Sequence, residues 1–196
     1  MARYSIEHKE ATRRRIVETA GRRFKRDGID GSGVATLMAD AGLTNGAFYA
    51  HFDSKDDLVA TVVGDQLGRQ VSEFSRLPGG RAGLEVFVRE YLSAAHRDHP
   101  DVGCPSAALL DEIGRCTGAT RKAYTAGTKV ILGEICTRLA PEDPESARRT
   151  ALLLFTMLVG SMQLARALSD KKLSNAVLEE GIHSAQAILT TSRTAR

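Results

Sequence analysis

Residues 31–58 read GSGVATLMADAGLTNGAFYAHFDSKDDL, and the spacing of their apolar side chains admits few structures. Val34, Leu37, Met38 and Ala41 fall at i, i+3, i+4 and i+7, the repeat of one buried helix face. Ser32 and Gly33 are both N-cap types, and Gly42 follows the last apolar position, where a left-handed residue closes a helix most easily. The turn is then Gly42-Leu43. Thr44 is placed to cap a second helix, its hydroxyl accepting a backbone N–H two or three residues on. In that helix Leu43, Ala47 and Phe48 pack inward, while Asn45, Gly46, Tyr49 and His51 face out. Ser54 and Asp57 have the spacing of a capping box for a longer helix that begins at Lys55. A cation on a first turn opposes the helix dipole, whereas a phosphate would suit both Lys55 and the free N–H groups there. The block reads as a helix-turn-helix.

Helical spacing recurs along the rest of the chain, and no strand-length run of alternating apolar residues interrupts it. The fold class is all-α, with about nine helices. The first runs from about Ile6 to Asp27 with Ile16, Ala20 and Phe24 on its seam; the fourth, Lys55 to about Arg76, links a head to a body. A fifth carries Leu84, Phe87, Val88, Tyr91 and Leu92 on one face and runs to Pro100. A sixth starts at Pro105, a favoured first helical residue, and a seventh follows Gly118 to about Ala140. The eighth spans about Glu145 to Leu168 and the ninth about Ser174 to Thr191. Between Ala151 and Leu158 the eighth is apolar on nearly every side and must be covered all round. A chain this small has trouble doing so alone, which points to a two-fold homodimer through the last two helices.

The net charge of +3 is informative in where it lies. Residues 1–55 hold 10 Lys/Arg against 7 Asp/Glu, and the remainder holds 17 of each. The first helix carries Arg13-Arg14-Arg15 and Arg22-Arg23-Phe24-Lys25-Arg26, enough to attract a polyanion of any sequence. It lacks the Trp/Phe/Leu face of a membrane-surface helix. No apolar leader follows Met1, and the longest apolar run, Ala151 to Ala165, is interrupted by Thr156, Gly160, Ser161 and Gln163, short of the roughly 20 residues a membrane span needs. Three widely spaced cysteines, Cys104, Cys116 and Cys136, argue for a reducing compartment, hence the cytoplasm, and against a disulfide scaffold. No cofactor, metal or membrane partner is expected.

Gly28, Gly31, Val34, Leu37, Met38, Ala41, Gly42, Leu43, Thr44, Gly46, Phe48, Tyr49, Phe52, Lys55 and Leu58 together resemble the N-terminal domain of the TetR (tetracycline repressor) family of bacterial transcription regulators. The close resemblance covers roughly residues 10–60; beyond it lies helical layout and one sharper fragment, Gly103-Cys104-Pro105. It implies a DNA-binding domain over residues 1–54 and an effector-binding and dimerisation domain over 55–196. It also implies DNA contact by Thr44, Asn45, Ala47, Tyr49, His51 and Lys55, with Gly46 on the same face and Gly33 where Ser or Thr often meets a phosphate. The double-stranded operator would be near-palindromic, its half-sites about one helical turn or a multiple apart. Asn45 suits adenine, Ala47 a thymine methyl, His51 a base edge or phosphate, Tyr49 a phosphate. With no Arg or Lys on the reading helix, DNA shape should carry much of the discrimination.

A small-molecule effector would occupy the helical body, and Phe87, Tyr91, His96, Cys104, Ile113, Tyr124, Thr128, Phe155 and Met162 are candidates for its pocket, although each also fits plain core. Cys104 stands directly before a helix start, where a thiolate is favoured, and reads either as an oxidant or electrophile sensor or as an inert buried thiol. His96, His99 and Cys104 form a metal-ligand pattern without a clear fourth member. A thiol enzyme would need a nucleophile elbow or phosphate loop that the chain lacks, so the chain is not expected to be an enzyme.

Overall fold

The computed structural model describes residues 2–191, and among these every regular element is helical. Nine α-helices follow in order: α1 (Ala2–Asp27), α2 (Val34–Asp40), α3 (Lys55–Ser75), α4 (Gly80–Tyr91), α5 (Ala94–Asp98), α6 (Pro105–Arg115), α7 (Gly118–Leu139), α8 (Arg148–Ala167) and α9 (Lys171–Thr191). Three 3-10 segments, Asn45–Ala50, Pro100–Val102 and Pro144–Ala147, complete the chain. Helices α1 and α2 with the first 3-10 segment make the head. Helix α3 leaves it and packs along α7, while α8 packs along α9. Gly181 allows that last approach, since a Cβ there would press on Leu92 and Ser161 at 2.8 and 3.1 Å.

The head is held by the residues that the spacing marks. Ile16, Ala20, Phe24, Leu37, Met38, Ala41 and Phe48 are buried together with Phe52 and Leu58. Gly42 adopts φ +66°, the left-handed turn residue that a side chain would strain, and its N–H closes onto the Ala39 carbonyl. Ser54 Oγ accepts the Asp57 N–H at 3.1 Å, half of the expected capping box; the Asp57 carboxylate reaches the Asp53 N–H, one residue before the cap.

The structure departs from the sequence reading at four places. The second helix of the helix-turn-helix is a 3-10 helix, and Thr44 makes no side-chain cap. Asn45-Gly46 is a poor α-helix start, and the Ala47 N–H bonds the Thr44 carbonyl three residues back instead. The fifth helix does not reach Pro100. It stops at Tyr91 because Ser93 Oγ takes the His96 N–H and caps the separate α5. Helix α9 starts three residues early, with Asp170 Oδ1 accepting from Lys172 and Leu173 N–H. Finally, Pro144–Ala167 is a continuous helical segment of 24 residues, long and apolar enough to cross a bilayer by length and composition, because the 3-10 turn extends α8. One side of α8, with Leu154, Leu158 and Met162, is core.

Candidate nucleic-acid interface and ligand cavity

The residues expected to meet DNA differ in exposure. Thr44, Asn45 and Gly46 are exposed and Tyr49 is 71% exposed, its ring set edge-on against the buried Phe48 with centroids 5.2 Å apart. Nothing lies within 4 Å of a Cβ built at Gly33 or Gly46, so the space before both backbones is open. Ala47 is half-buried, as is Lys55 at the first position of α3. His51 is half-buried with Nδ1 enclosed and unpaired; burial, then the charges of Lys9 and Arg13, lower its pKa, so the ring is neutral at pH 7.

The cationic helix is less free than its composition implies. Arg22 pairs with Glu18 at 3.4 Å, Arg23 with Asp40 at 2.9 Å, and Arg26 with Asp27 at 2.9 Å. Arg13 lies over the Phe52 ring at 4.6 Å, while Arg14 and Arg15 are exposed. The unpaired positive charge therefore sits towards the middle of α1.

Glu112 and Lys25 join head to body. The Glu112 carboxylate on α6 accepts the Ile29 N–H at 2.7 Å, and the buried Lys25 ammonium on α1 donates to the Gly103 carbonyl at 2.9 Å and to Gln66 Oε1 at 2.7 Å. Sequence spacing gave no sign of either, because Glu112 lies 83 positions from Ile29 and Gly103 lies 78 from Lys25.

A cavity of about 190 Å3 lies between α3, α4 and the segment before α6. Four of the nine candidate residues line it: Phe87, Tyr91, His96 and Cys104. Ile113, Phe155 and Met162 sit in the core, Tyr124 bonds Ser106 Oγ at 3.0 Å, and Thr128 is half-buried on α7; none of these lines the cavity. The wall that sequence reasoning missed is α3, which contributes Gln66, Gln70, Glu73 and Phe74. Their spacing of i, i+4, i+7 and i+8 is one helix stripe, a signal obscured because two of the four are amides and α3 looked like a connector. Cys104 Sγ donates to Gln70 Oε1 at 3.1 Å, and both His96 nitrogens are already bonded. Among the described residues no group of three His, Cys, Asp or Glu could hold a metal ion.

Residues 16–62, which hold this head from the seam of α1 to the first turns of α3, match the family model for bacterial regulatory proteins of the tetR family. The head matches the TetR family. Over 62 residues it is 34% identical to the HTH-type transcriptional regulator AcrR of Shigella flexneri, an alignment spanning 32% of this chain and 29% of AcrR. The corresponding match to TtgR of Pseudomonas putida is 36% over 63 residues, 32% of this chain and 30% of TtgR. The likeness to these regulators thus covers under a third of their length. The whole fold extends the likeness: the crystal structure of reduced E. coli NemR superposes with a TM-score of 0.78 at 17% identity, covering 90% of this chain and 96% of NemR. At that identity the body shares a fold and no more.

Proposed function

We propose that this TetR-family chain is a ligand-responsive transcription regulator, a repressor that binds a near-palindromic operator as a homodimer in the cytoplasm and is released by a small molecule in the cavity. The observation that carries the reading is the outward face of the 3-10 helix, where Thr44, Asn45, Gly46 and Tyr49 stand exposed beside Lys55 while Phe48 anchors the element from behind. Such a face fits a major groove, with hydroxyls and Lys55 to phosphates and Asn45 to a base edge. Helix α3 then links the two sites, because it starts at Lys55 and lines the cavity from Gln66 to Phe74. A ligand that favours one placement of α3 shifts the balance between head spacings that fit the operator and those that do not.

Selection of bound duplexes from a random pool, followed by titration at two salt concentrations, tests this reading. A near-palindromic winner is expected. Asn45→Ala should relax its sequence preference by about 1–3 kcal/mol at one position in each half-site, whereas Lys55→Ala should weaken all sequences alike and reduce the salt slope by about one ion per head. Uniform binding of every duplex would remove the operator from the reading.

A second reading, a thiol switch at Cys104, is favoured by one observation: its sulfur lines the same cavity. Burial raises the pKa of the Cys116 and Cys136 thiols, so their thiolates are scarce. This reading expects iodoacetamide to alkylate Cys104 first, with loss of operator binding. A rate equal to that of a free peptide thiol, with DNA affinity unchanged, would dispose of it.

A further inference from the structure

His96 organises the inner end of the cavity. Its Nε2 accepts the Cys104 N–H at 3.0 Å, so the ring proton is on Nδ1, which donates to the Tyr91 carbonyl at 2.6 Å. Burial holds the pKa of the ring below its ordinary value, in keeping with this neutral tautomer. Both nitrogens are spent, and His96 has nothing left for a ligand.

Three groups around it do. The Tyr91 hydroxyl is enclosed, its residue 4% exposed, with the Cys104 thiol as a neighbour but no close nitrogen or oxygen partner, and the side chain lines the cavity. Arg166 is anchored through Nη2 to the His96 carbonyl at 2.6 Å and through Nε to the Arg97 carbonyl at 3.2 Å, which leaves Nη1 buried and unpaired. Lys25 uses two of its three ammonium hydrogens, on Gln66 and on Gly103. Both acceptors belong to the cavity wall. Lys25 and Arg166 stand behind that wall, packed against it at Gly103, where a Cβ would strike the His96 ring and come 3.1 Å from Arg166 Nη2.

Neither cation has a carboxylate within 4 Å among the described residues. Enclosed positive charge without a close counter-ion is unfavourable, and burial lowers the pKa of Lys25 to about 8, against the more distant pull of Asp101, and that of Arg166 below its usual range. An anion at this end would relieve both cations and satisfy Tyr91 at once. Towards the mouth the lining changes character. The Phe74 and Phe87 rings lie 4.4 Å apart and Phe87 meets Tyr91 at 5.6 Å, a continuous aromatic wall. The exposed Glu73 and Glu90 line the outer part, where they would repel a carboxylate and so favour its lying inward.

We propose that the inner end of the cavity is a carboxylate subsite and that the effector is a small aromatic acid, its carboxylate at the Tyr91 hydroxyl and drawn inward by the charges of Lys25 and Arg166 behind the wall, its ring against Phe74 and Phe87. This inference rests on the reading of the cavity as the effector site. A hydrogen bond from Tyr91 to a carboxylate is charge-assisted, and with two cations behind it such a site separates an anion from a neutral analogue of the same shape.

Calorimetric titration of the full-length protein with phenylacetate, phenylacetamide and phenethylamine tests it. Phenylacetate should bind at least tenfold more tightly than the amide, and phenethylamine more weakly than either. Tyr91→Phe deletes an unpaired hydroxyl, so its melting temperature should not fall, yet the preference for acid over amide should shrink several-fold. Lys25→Met should erase that preference while amide binding persists; should this variant not fold, Tyr91→Phe decides alone. Equal affinity for acid and amide, or an acid preference untouched by Tyr91→Phe, overturns the subsite and leaves the cavity as an effector site. Binding of none of the three overturns the subsite and removes this cavity from the effector reading, while operator selection still judges the DNA-binding reading separately.

Discussion

Replacing Leu153 and Leu164 together by glutamate is expected to give a folded monomer that binds operator 100- to 10,000-fold more weakly, on the order of what is lost when two linked binding events become one. Each leucine is 53% exposed in the single chain, so neither supports the core of its own protomer. Leu152 on α8 and Leu173 on α9 are exposed as well, at 44% and 50%, and Met157, Ser161, Leu173 and Val177 line a groove between the two helices. An apolar face of this kind is what the sequence-based expectation of an all-round covered helix leaves over once one chain has covered what it can. A second copy of the pair would fill the groove as a four-helix interface, and two carboxylates per protomer at its centre would be desolvated without partners. Sedimentation velocity and DNA titration on the same sample check both halves. A double variant that still sediments as a dimer would place the interface elsewhere.

Phe48→Ala should cost about 3–5 kcal/mol and melt the head, abolishing DNA binding. Phe48 is 1% exposed, stacks on Phe52 with centroids 5.7 Å apart, and is the buried side chain of the six-residue 3-10 helix. Neither that element nor the seven-residue α2 is long enough to hold its shape without tertiary packing. Tyr49→Ala is the natural control, for the side chain next in sequence is largely exposed and its loss should change stability by no more than about 0.5 kcal/mol. Urea unfolding followed by circular dichroism would distinguish the two. If Phe48→Ala unfolds within about 1 kcal/mol of the parent protein, the reading face does not depend on this anchor.

The head was legible in the sequence because everything that specifies it is local. Val34 to Ala41 repeat at helical spacing, Gly42 supplies the left-handed turn, and Ser54 caps α3 within three residues of its partner. Where a local rule had a local competitor, the reading went astray: Ser93 ends α4 by capping α5, against an apolar stripe that runs on through Leu92. The cavity was half legible. Phe87, Tyr91, His96 and Cys104 stand out by chemistry, whereas Gln66 and Gln70 resemble any solvated helix face until α4 and the Gly103 segment close over them. The burial of Lys25 contradicts its setting in a run of arginines, and only the fold, by bringing a carbonyl 78 residues away to its ammonium, explains it.

Helix α3 is also a lever. Its 21 residues, Lys55–Ser75, make a rigid rod about 30 Å long with one end beside the reading face and the other beside the aromatic wall of the cavity. In the proposed dimer a tilt of about 5° about the cavity end would carry the far end through about 2.5 Å, and two-fold symmetry would double the change in separation to about 5 Å. That is a large fraction of the roughly 12 Å width of a major groove, so an adjustment no bigger than the swing of one aromatic ring is enough to put two heads out of step with their half-sites.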